Sequence, residues 1–149
     1  MNEEVKQVVK KAGINLRNEI VKKIHSNIPP PNAPSTIKAK GSSKTLIDTG
    51  EMWRSVDTQV IQEDESTIDV ASGIFEPEIV KYAIANEYGS VRTVTTKNKD
   101  NKDEMHQGFS VIVIPERSFM RSAYDENIED IYEKMATEIG QIMGEKFKK

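Results

Sequence analysis

Two long amphipathic segments, one at each end of the chain, limit the folds that this sequence can adopt. Residues 2–26 and residues 118–147 both place apolar side chains three or four positions apart, the spacing of a helix with one apolar stripe. At ~1.5 Å per residue, the second helix is on the order of 45 Å long. The stripes consist of Val5, Val8, Val9, Ala12, Leu16, Ile20 and Ile24, and of Met120, Tyr124, Ile128, Ile131, Met135, Ile139 and Ile142. Such stripes have to be buried against other elements.

Between the helices, the apolar spacing changes to the alternation of β-strands. Residues 56–61 and 67–71 are separated by a polar turn, which predicts a hairpin, and residues 91–95 and 109–114 predict two more strands. The last run is apolar on both faces, which places it at the centre of a sheet. We therefore expect an α+β fold, with an antiparallel sheet of about four strands packed against the long N-terminal and C-terminal helices. The 149 residues are expected to form one domain.

Short helices are expected between these elements, over 49–54 and from Pro77 to a C-cap at Gly89. Residues 27–44 contain four prolines and few bulky apolar residues, which predicts an extended, proline- and lysine-rich arm. Such an arm either wraps its own domain or reaches a neighbouring subunit. Ordering it costs about 1–2 kcal/mol per residue, so we expect it to be mobile in a free monomer and ordered against a neighbouring subunit. Residues 97–108 are expected to be a mobile charged loop.

Charge is distributed unevenly along the chain. Residues 1–44 contain nine Lys and Arg against three Asp and Glu, whereas residues 45–90 contain two against ten, and the net charge is −3. Oppositely charged sectors can be used in a head-to-tail ring contact, or they can simply be solvated faces. No apolar run reaches the length of a membrane span, and the N-terminus lacks the apolar centre of a secretory signal.

No group of residues predicts catalysis. The chain has no cysteine, and neither His25 nor His106 has a second ligand type at metal-binding spacing. No nucleophile elbow and no glycine-rich phosphate loop is present. The acidic runs at 63–65 and 125–133 are best explained as a polar turn and a solvated helix face. We therefore expect no enzymatic activity, no cofactor and no metal site.

Three motifs, in this order, resemble the tail-completion proteins of tailed phages, a family of neck, minor tail and virion-morphogenesis proteins. They are LIDTGEMWRSV at Leu46–Val56, preceded by the arm, YAIANEYGS at Tyr82–Ser90 and IPERSFMRSA at Ile114–Ala123. Together with the two terminal helices they cover most of the chain. The sequence departs from the family in having Ser118 where a second proline is common, and its charged loop is longer than usual.

The resemblance implies a structural protein of the virion, without enzymatic activity, which assembles at the neck to complete the tail and join it to the head. Its partners would be further copies in a ring, possibly a hexamer, the tail tube or tail terminator, the head-side connector and the genomic DNA in the channel, with no membrane. It would be located in the virion, and in the host cytoplasm during assembly. The candidate interface residues are Trp53, Arg54, Asp48, Thr49, Glu87, Arg117, Phe119, Ile37, Lys38 and Lys40.

Other interpretations stay open from the sequence alone. Trp53 can belong to the domain's own core, with Arg54 solvated, and Arg117 can consolidate the fold by pairing with Glu87 or Glu116. The basic first 44 residues can form a small nucleic-acid-binding module. The acidic clusters can belong to a divalent-metal hydrolase.

Overall fold

The fold is α+β, with a long helix at each end. The computed structural model describes residues 1–97 and 107–148. In chain order the elements are α1 (Glu3–His25), α2 (Pro34–Lys40), α3 (Glu51–Arg54), β1 (Val56–Glu63), β2 (Ile68–Ile74), α4 (Pro77–Tyr88), β3 (Ser90–Lys97), β4 (Gln107–Ile114) and α5 (Met120–Phe147). None of the helices in these two ranges is long and apolar enough to cross a membrane.

Helices α1 and α5 lie against each other and run antiparallel. The side chain of Lys11 pairs with Glu138 at 2.8 Å, and Lys23 pairs with Glu126 at the same distance. The pair nearer the N-terminus of α1 is thus nearer the C-terminus of α5, as expected for antiparallel helices. Asn2 caps the start of α1 by accepting a hydrogen bond from the backbone N–H of Glu4 at 3.0 Å.

The four strands form two separate two-stranded sheets, so the expected single sheet of about four strands is wrong. Strands β1 and β2 pair antiparallel, with Val56 opposite Ile74 and an irregularity between Val60 and Gln62. Strands β3 and β4 form the second pair, with Ser90 opposite Ile114. The alternation of side chains indicates a strand but does not specify which strand it pairs with.

The placement of residues 109–114 at the centre of a sheet is also wrong. Within the described ranges, β4 pairs with β3 alone, and both belong to a hairpin that contacts the rest of the domain little. The chain enters this hairpin through Gly89, whose φ is +78°. A Cβ at Gly89 would lie 3.1 Å from the carbonyl oxygen of Ile114 and from the backbone nitrogen of Glu116. Glycine is therefore required where the hairpin meets the domain.

The β1–β2 hairpin, in contrast, lies directly on α1. The carbonyl oxygen of Gly13 accepts hydrogen bonds from the hydroxyls of Thr58 at 3.1 Å and Ser72 at 2.5 Å. At the turn, Asp64 accepts hydrogen bonds from the backbone N–H groups of Ser66 and Thr67, both at 2.8 Å. The polar run that was predicted to be a turn thus forms its own hydrogen bonds.

The core lies where the ends of the long helices meet the shorter elements. Its buried members come from α1, the segment before α3, α3 itself, β1, α4 and the start of α5. They are Ile20, Ile24, Leu46, Met52, Val56, Ala83, Phe119 and Ala123.

The arm at residues 27–44 is not extended throughout, because Pro34–Lys40 forms helix α2. Proline is compatible with the first turn of a helix, where its missing N–H has no helical partner. Gly41 ends the helix in the left-handed conformation, with a φ of +69°. Of the predicted charged loop, Lys97 belongs to β3 and Gln107 and Gly108 to β4, while residues 98–106 lie outside the described residues.

Candidate interaction surface

The three motifs that carry the resemblance converge on the core. The first motif supplies three buried apolar side chains, one from α3 and one from each side of it, the second supplies one from α4, and the third supplies two at the start of α5. These residues are Leu46, Met52, Val56, Ala83, Phe119 and Ala123. The motifs therefore form the centre of the fold, and much of their sequence is explained by packing.

A buried carboxylate joins the second motif to the third. Only 5% of Glu87 is exposed, and its carboxylate lies against the start of α5. One oxygen accepts hydrogen bonds from the backbone N–H groups of Phe119 and Met120, both at 2.9 Å. The other accepts from the N–H of Arg121 at 3.0 Å and the hydroxyl of Ser118 at 2.9 Å. Glu87 thus supplies the N-terminal cap that α5 does not obtain from Phe119, the residue at its N-cap position.

Two opposed effects act on the pKa of Glu87. Burial raises the pKa of this carboxyl. Hydrogen bonds from the N–H groups of Met120 and Arg121 and from the side chains of Arg121 and Ser118 together outweigh burial, so the pKa lies below its usual value. The group is therefore a carboxylate at neutral pH, and its charge lies at the positive end of the α5 dipole.

Arg117 pairs with neither Glu87 nor Glu116, the two partners that the sequence had suggested for it. Its guanidinium Nε and Nη2 instead both donate to the carbonyl oxygen of Pro30, at 2.9 and 2.6 Å. Arg121, one helical turn further on, pairs with both carboxylates instead, at 2.9 Å with Glu87 and 2.6 Å with Glu116. Arg117 is itself buried, so its role in the described structure is to hold the arm to the domain.

The arm has further contacts at its base. The backbone N–H of Thr45 donates to the side-chain oxygen of Asn27 at 2.9 Å, and Asn32 donates to the carbonyl oxygen of Lys44 at 3.1 Å. Helix α2 has no buried residue. Burial lowers the pKa of Lys40, and the nearby carboxylate of Asp48 only partly offsets this. The two ends of the arm are thus fixed, while α2 forms the exposed middle.

Trp53 lies between the side chains of His25 and Arg54 at the edge of the core. It is half-buried, and its ring meets that of His25 edge-on with a centroid distance of 5.1 Å. The guanidinium of Arg54 lies 5.2 Å from the centroid of the Trp53 ring, in cation–π range, and also donates to the carbonyl oxygen of Thr49 at 3.4 Å. The domain itself therefore holds the indole in place, while the side chains of His25 and Arg54 are exposed.

Much of the positive charge on α1 is balanced within the chain. Lys6 and Lys10 pair with Glu63 of β1 at 3.5 and 3.2 Å. Lys11 and Lys23 pair with α5, as described above. The basic first 44 residues are therefore less free to attract phosphate than their sequence suggests.

The ten candidate interface residues fall into three groups by exposure. Glu87, Arg117 and Phe119 are buried, Trp53, Ile37 and Lys40 are half-buried, and Asp48, Thr49, Arg54 and Lys38 are exposed. The buried group stabilises the domain and offers no surface to a partner. The exposed group lies on or next to the arm and α3.

The sequence analysis missed an exposed apolar surface on the β3–β4 hairpin. One face of the β3–β4 hairpin, here called the valine face, is formed by Val91, Thr93, Val111 and Val113. Val91 is 72% exposed, and Val111 and Val113 are each 63% exposed. The signal for this surface was the run that is apolar on both faces, which was assigned to the interior of a sheet.

An apolar groove lies beside α4, with a volume of about 280 Å³. Its walls come from the end of β2, from α4 and from the start of α5. The side chains that give it its apolar character are those of Ile74, Phe75, Val80, Ile84, Tyr88 and Met120. Ile84 and Tyr88 are exposed at its rim. We call this feature the α4 groove.

No grouping of three or more His, Asp or Glu side chains able to hold a metal ion occurs in ranges 1–97 and 107–148. No known family model, no curated protein and no solved structure matches the chain.

Proposed function

We propose that this chain is a structural protein of a tailed-phage virion, which assembles at the neck to complete the tail and join it to the head. The observation that carries the proposal is the ordered set of three motifs, which resembles the tail-completion family and packs into one core. Because Glu87 of the second motif caps the helix of the third, the motifs act as one structural unit.

In this proposal, further copies of the chain form a ring around the DNA channel. The tail tube or tail terminator lies on one side, and the head-side connector lies on the other. Helix α2 of the arm and the β3–β4 hairpin support such an assembly, because neither is packed into the core. The role is mechanical, and the DNA passes through the ring without being read in a sequence-specific way.

The nucleic-acid-binding alternative has less support, since four of the lysines on α1 pair with carboxylates of the same chain. A submicromolar affinity for duplex DNA that falls steeply with salt would favour this alternative over the structural role.

The test is to delete the gene from its phage or prophage and to examine the lysate by electron microscopy. Filled heads beside separate tails of normal length are the expected result, and tails that are too long would assign the chain to termination of the tail. Supplying the gene from a plasmid should restore joined particles. Intact, infectious particles in the deletion strain would overturn the proposal.

A further inference from the structure

The two ends of α1 lie beside surfaces of opposite charge. Near its start, the turn of the β1–β2 hairpin is held to the helix, because Glu63 pairs with Lys6 at 3.5 Å and with Lys10 at 3.2 Å. At its other end, the chain passes directly into the arm at residues 27–44. A helix rises ~1.5 Å per residue, so Lys10 and the start of the arm are about 25 Å apart. Within one copy the two surfaces therefore do not meet.

The end of the β1–β2 hairpin has negative charge that the chain balances only in part. The hairpin, Val56–Ile74, contains five acidic residues and no basic residue. Glu63 faces α1, whereas three other acidic residues at or near the turn are exposed. We call these three residues, Asp64, Glu65 and Asp69, the acidic tip.

The charged groups around the acidic tip do not reverse its sign. The N-terminal ammonium of Met1 donates to the backbone carbonyl oxygen of Glu65, and Lys6 also pairs with Glu3 at 3.3 Å. The antiparallel packing places the end of α5 beside the start of α1. The neighbouring cations are the N-terminus, Lys6, Lys10, Lys146 and Lys148, and the neighbouring acidic residues are Glu3, Glu4, Glu63 and Glu145. With the three residues of the tip, acidic groups outnumber basic ones at this end of the domain.

The arm has the opposite charge. Residues 27–44 contain three lysines and no acidic residue. Lys38 and Lys44 are exposed, and among residues 1–97 and 107–148 no carboxylate forms an ion pair with either. Lys40 is half-buried near Asp48. We call Lys38 and Lys44 the arm lysines. They differ from the lysines of α1 that pair with carboxylates of the same chain.

We propose that the arm lysines of one copy contact the acidic tip of a second copy. This inference rests on the proposed function and identifies a contact that produces the self-assembly. Contacts between two arms or between two tips would bring like charges together, so charge favours the pairing of unlike ends. Helix α2 has no buried residue, and its outer side is therefore accessible to a neighbour.

The contact joins two different surfaces at opposite ends of α1, so each copy would use its arm on one neighbour and its tip on the other. Such a heterologous contact closes into a ring when the rotation between neighbours divides a full turn, and otherwise continues as a filament. Contacts between identical surfaces would instead give symmetric dimers. This difference makes the contact testable by exchange of charges.

Two variants reverse the charge of one surface each. The arm variant combines Lys38→Glu with Lys44→Glu, and the tip variant combines Glu65→Lys with Asp69→Lys. Asp64 is left unchanged, because its carboxylate accepts the hydrogen bonds that form the turn. A combined variant with all four substitutions has the net charge of the wild type, with the signs of the two surfaces exchanged.

Self-association is measured by sedimentation over a range of protein concentrations, and circular dichroism checks that each variant is folded. The wild type should associate, and less tightly as salt is raised. The arm variant and the tip variant should each associate about tenfold more weakly or less. A control with the same change in net charge as the arm variant, Lys81→Glu with Lys134→Glu, reverses two exposed lysines on neither surface and should behave as the wild type.

The combined variant makes the decisive comparison. It should associate as tightly as the wild type, and so should an equimolar mixture of the arm variant and the tip variant, because each restores contacts between unlike charges. Contacts between two arms or between two tips would not be restored by this exchange.

Four results would overturn the proposal. They are a wild type that stays monomeric at its highest soluble concentration, association that does not respond to salt, unchanged association of the arm or tip variant, and a folded combined variant that associates no better than either. In the phage, normal yields of joined particles with the tip variant would remove this inference but leave the proposed function intact, because that function is tested by deletion of the gene.

Discussion

Arg121 is joined to Glu87 through two of its nitrogens: Nε donates to the carboxylate at 2.9 Å, and Nη2 donates to the backbone carbonyl oxygen at 3.1 Å. Its guanidinium also lies over the ring of Tyr88, 4.4 Å from the centroid. The end of α4 is thus fixed to the start of α5. Because the β3–β4 hairpin leaves the domain between these two helices, the same contacts clamp its base.

Replacing Glu87 should destabilise the domain strongly. In Glu87→Ala, the N–H groups at the start of α5 and the side chain of Arg121 lose their common acceptor, and a loss of about 3–5 kcal/mol in the free energy of unfolding is expected. Glu87→Gln keeps the shape and one acceptor, so a smaller loss of about 1.5–3 kcal/mol is expected. Urea unfolding followed by circular dichroism measures both. A loss of less than about 1 kcal/mol in the free energy of unfolding of Glu87→Ala would contradict the capping role.

The contribution of Glu87 should also depend on pH. Its pKa in the folded protein is lowered, so its stabilisation is complete above the pKa of the unfolded chain, about 4.3, and is lost as the pH falls through the lower folded-state value. The difference in unfolding free energy between wild type and Glu87→Gln should therefore shrink in acid. Unfolding curves recorded at a series of pH values test this. A difference that grows as the pH falls would show that the folded-state pKa is raised instead.

Asp64 offers a direct spectroscopic check at the turn of the β1–β2 hairpin. Hydrogen bonds from the backbone of Ser66, the side chain of Gln62 and the backbone of Thr67 hold the pKa of Asp64 at about 2. A carboxyl-detected NMR titration should give a midpoint near that value. An Asp64 midpoint at the usual aspartate value of about 3.9 would mean that the turn does not form as described.

Three glycines in helices should respond differently to alanine. A Cβ at Gly13 would lie 2.5 Å from a methyl group of Val70 and 2.9 Å from one of Thr58, so Gly13→Ala should cost about 1–3 kcal/mol by overpacking. Gly140 and Gly144 have nothing within 4 Å of such a Cβ. Gly140→Ala should therefore stabilise α5 by about 0.5–1 kcal/mol. Thermal unfolding of Gly13→Ala, Gly140→Ala and Gly144→Ala measures the contrast, and equal effects would exclude close packing of α1 on the β1–β2 hairpin.

Arg117→Lys should release the arm without removing the charge. A lysine ammonium lacks the fork with which Arg117 donates twice to the carbonyl oxygen of Pro30. Amide hydrogen exchange in residues 31–44 should become faster, while exchange in α4 should change little. Lys38→Arg, on the exposed side of the arm, is the matched control. Equal exchange in wild type and Arg117→Lys would show that this contact does not hold the arm.

Periodicity predicted the two long terminal helices because each carries one apolar stripe, whereas it missed α2, which has no buried residue. The sequence analysis placed α1 within one residue of Glu3–His25 and expected the C-cap at Gly89. It could not tell which arginine reaches Glu87, because Arg117 and Arg121 are both close to the acid and only the start of α5 decides between them. It also could not show what lies beside β4. Apolar residues on both faces indicate a strand that needs cover, but not whether that cover belongs to the same chain.

Gly89 has a consequence for the curvature of any assembly built through the hairpin. Its left-handed φ and the lack of space for a Cβ fix the direction in which the ribbon leaves the domain. If one ribbon reaches the next subunit, this direction determines how far each subunit is rotated from its neighbour. A single backbone angle would then help to set how many subunits complete the circle, and hence the width of its opening.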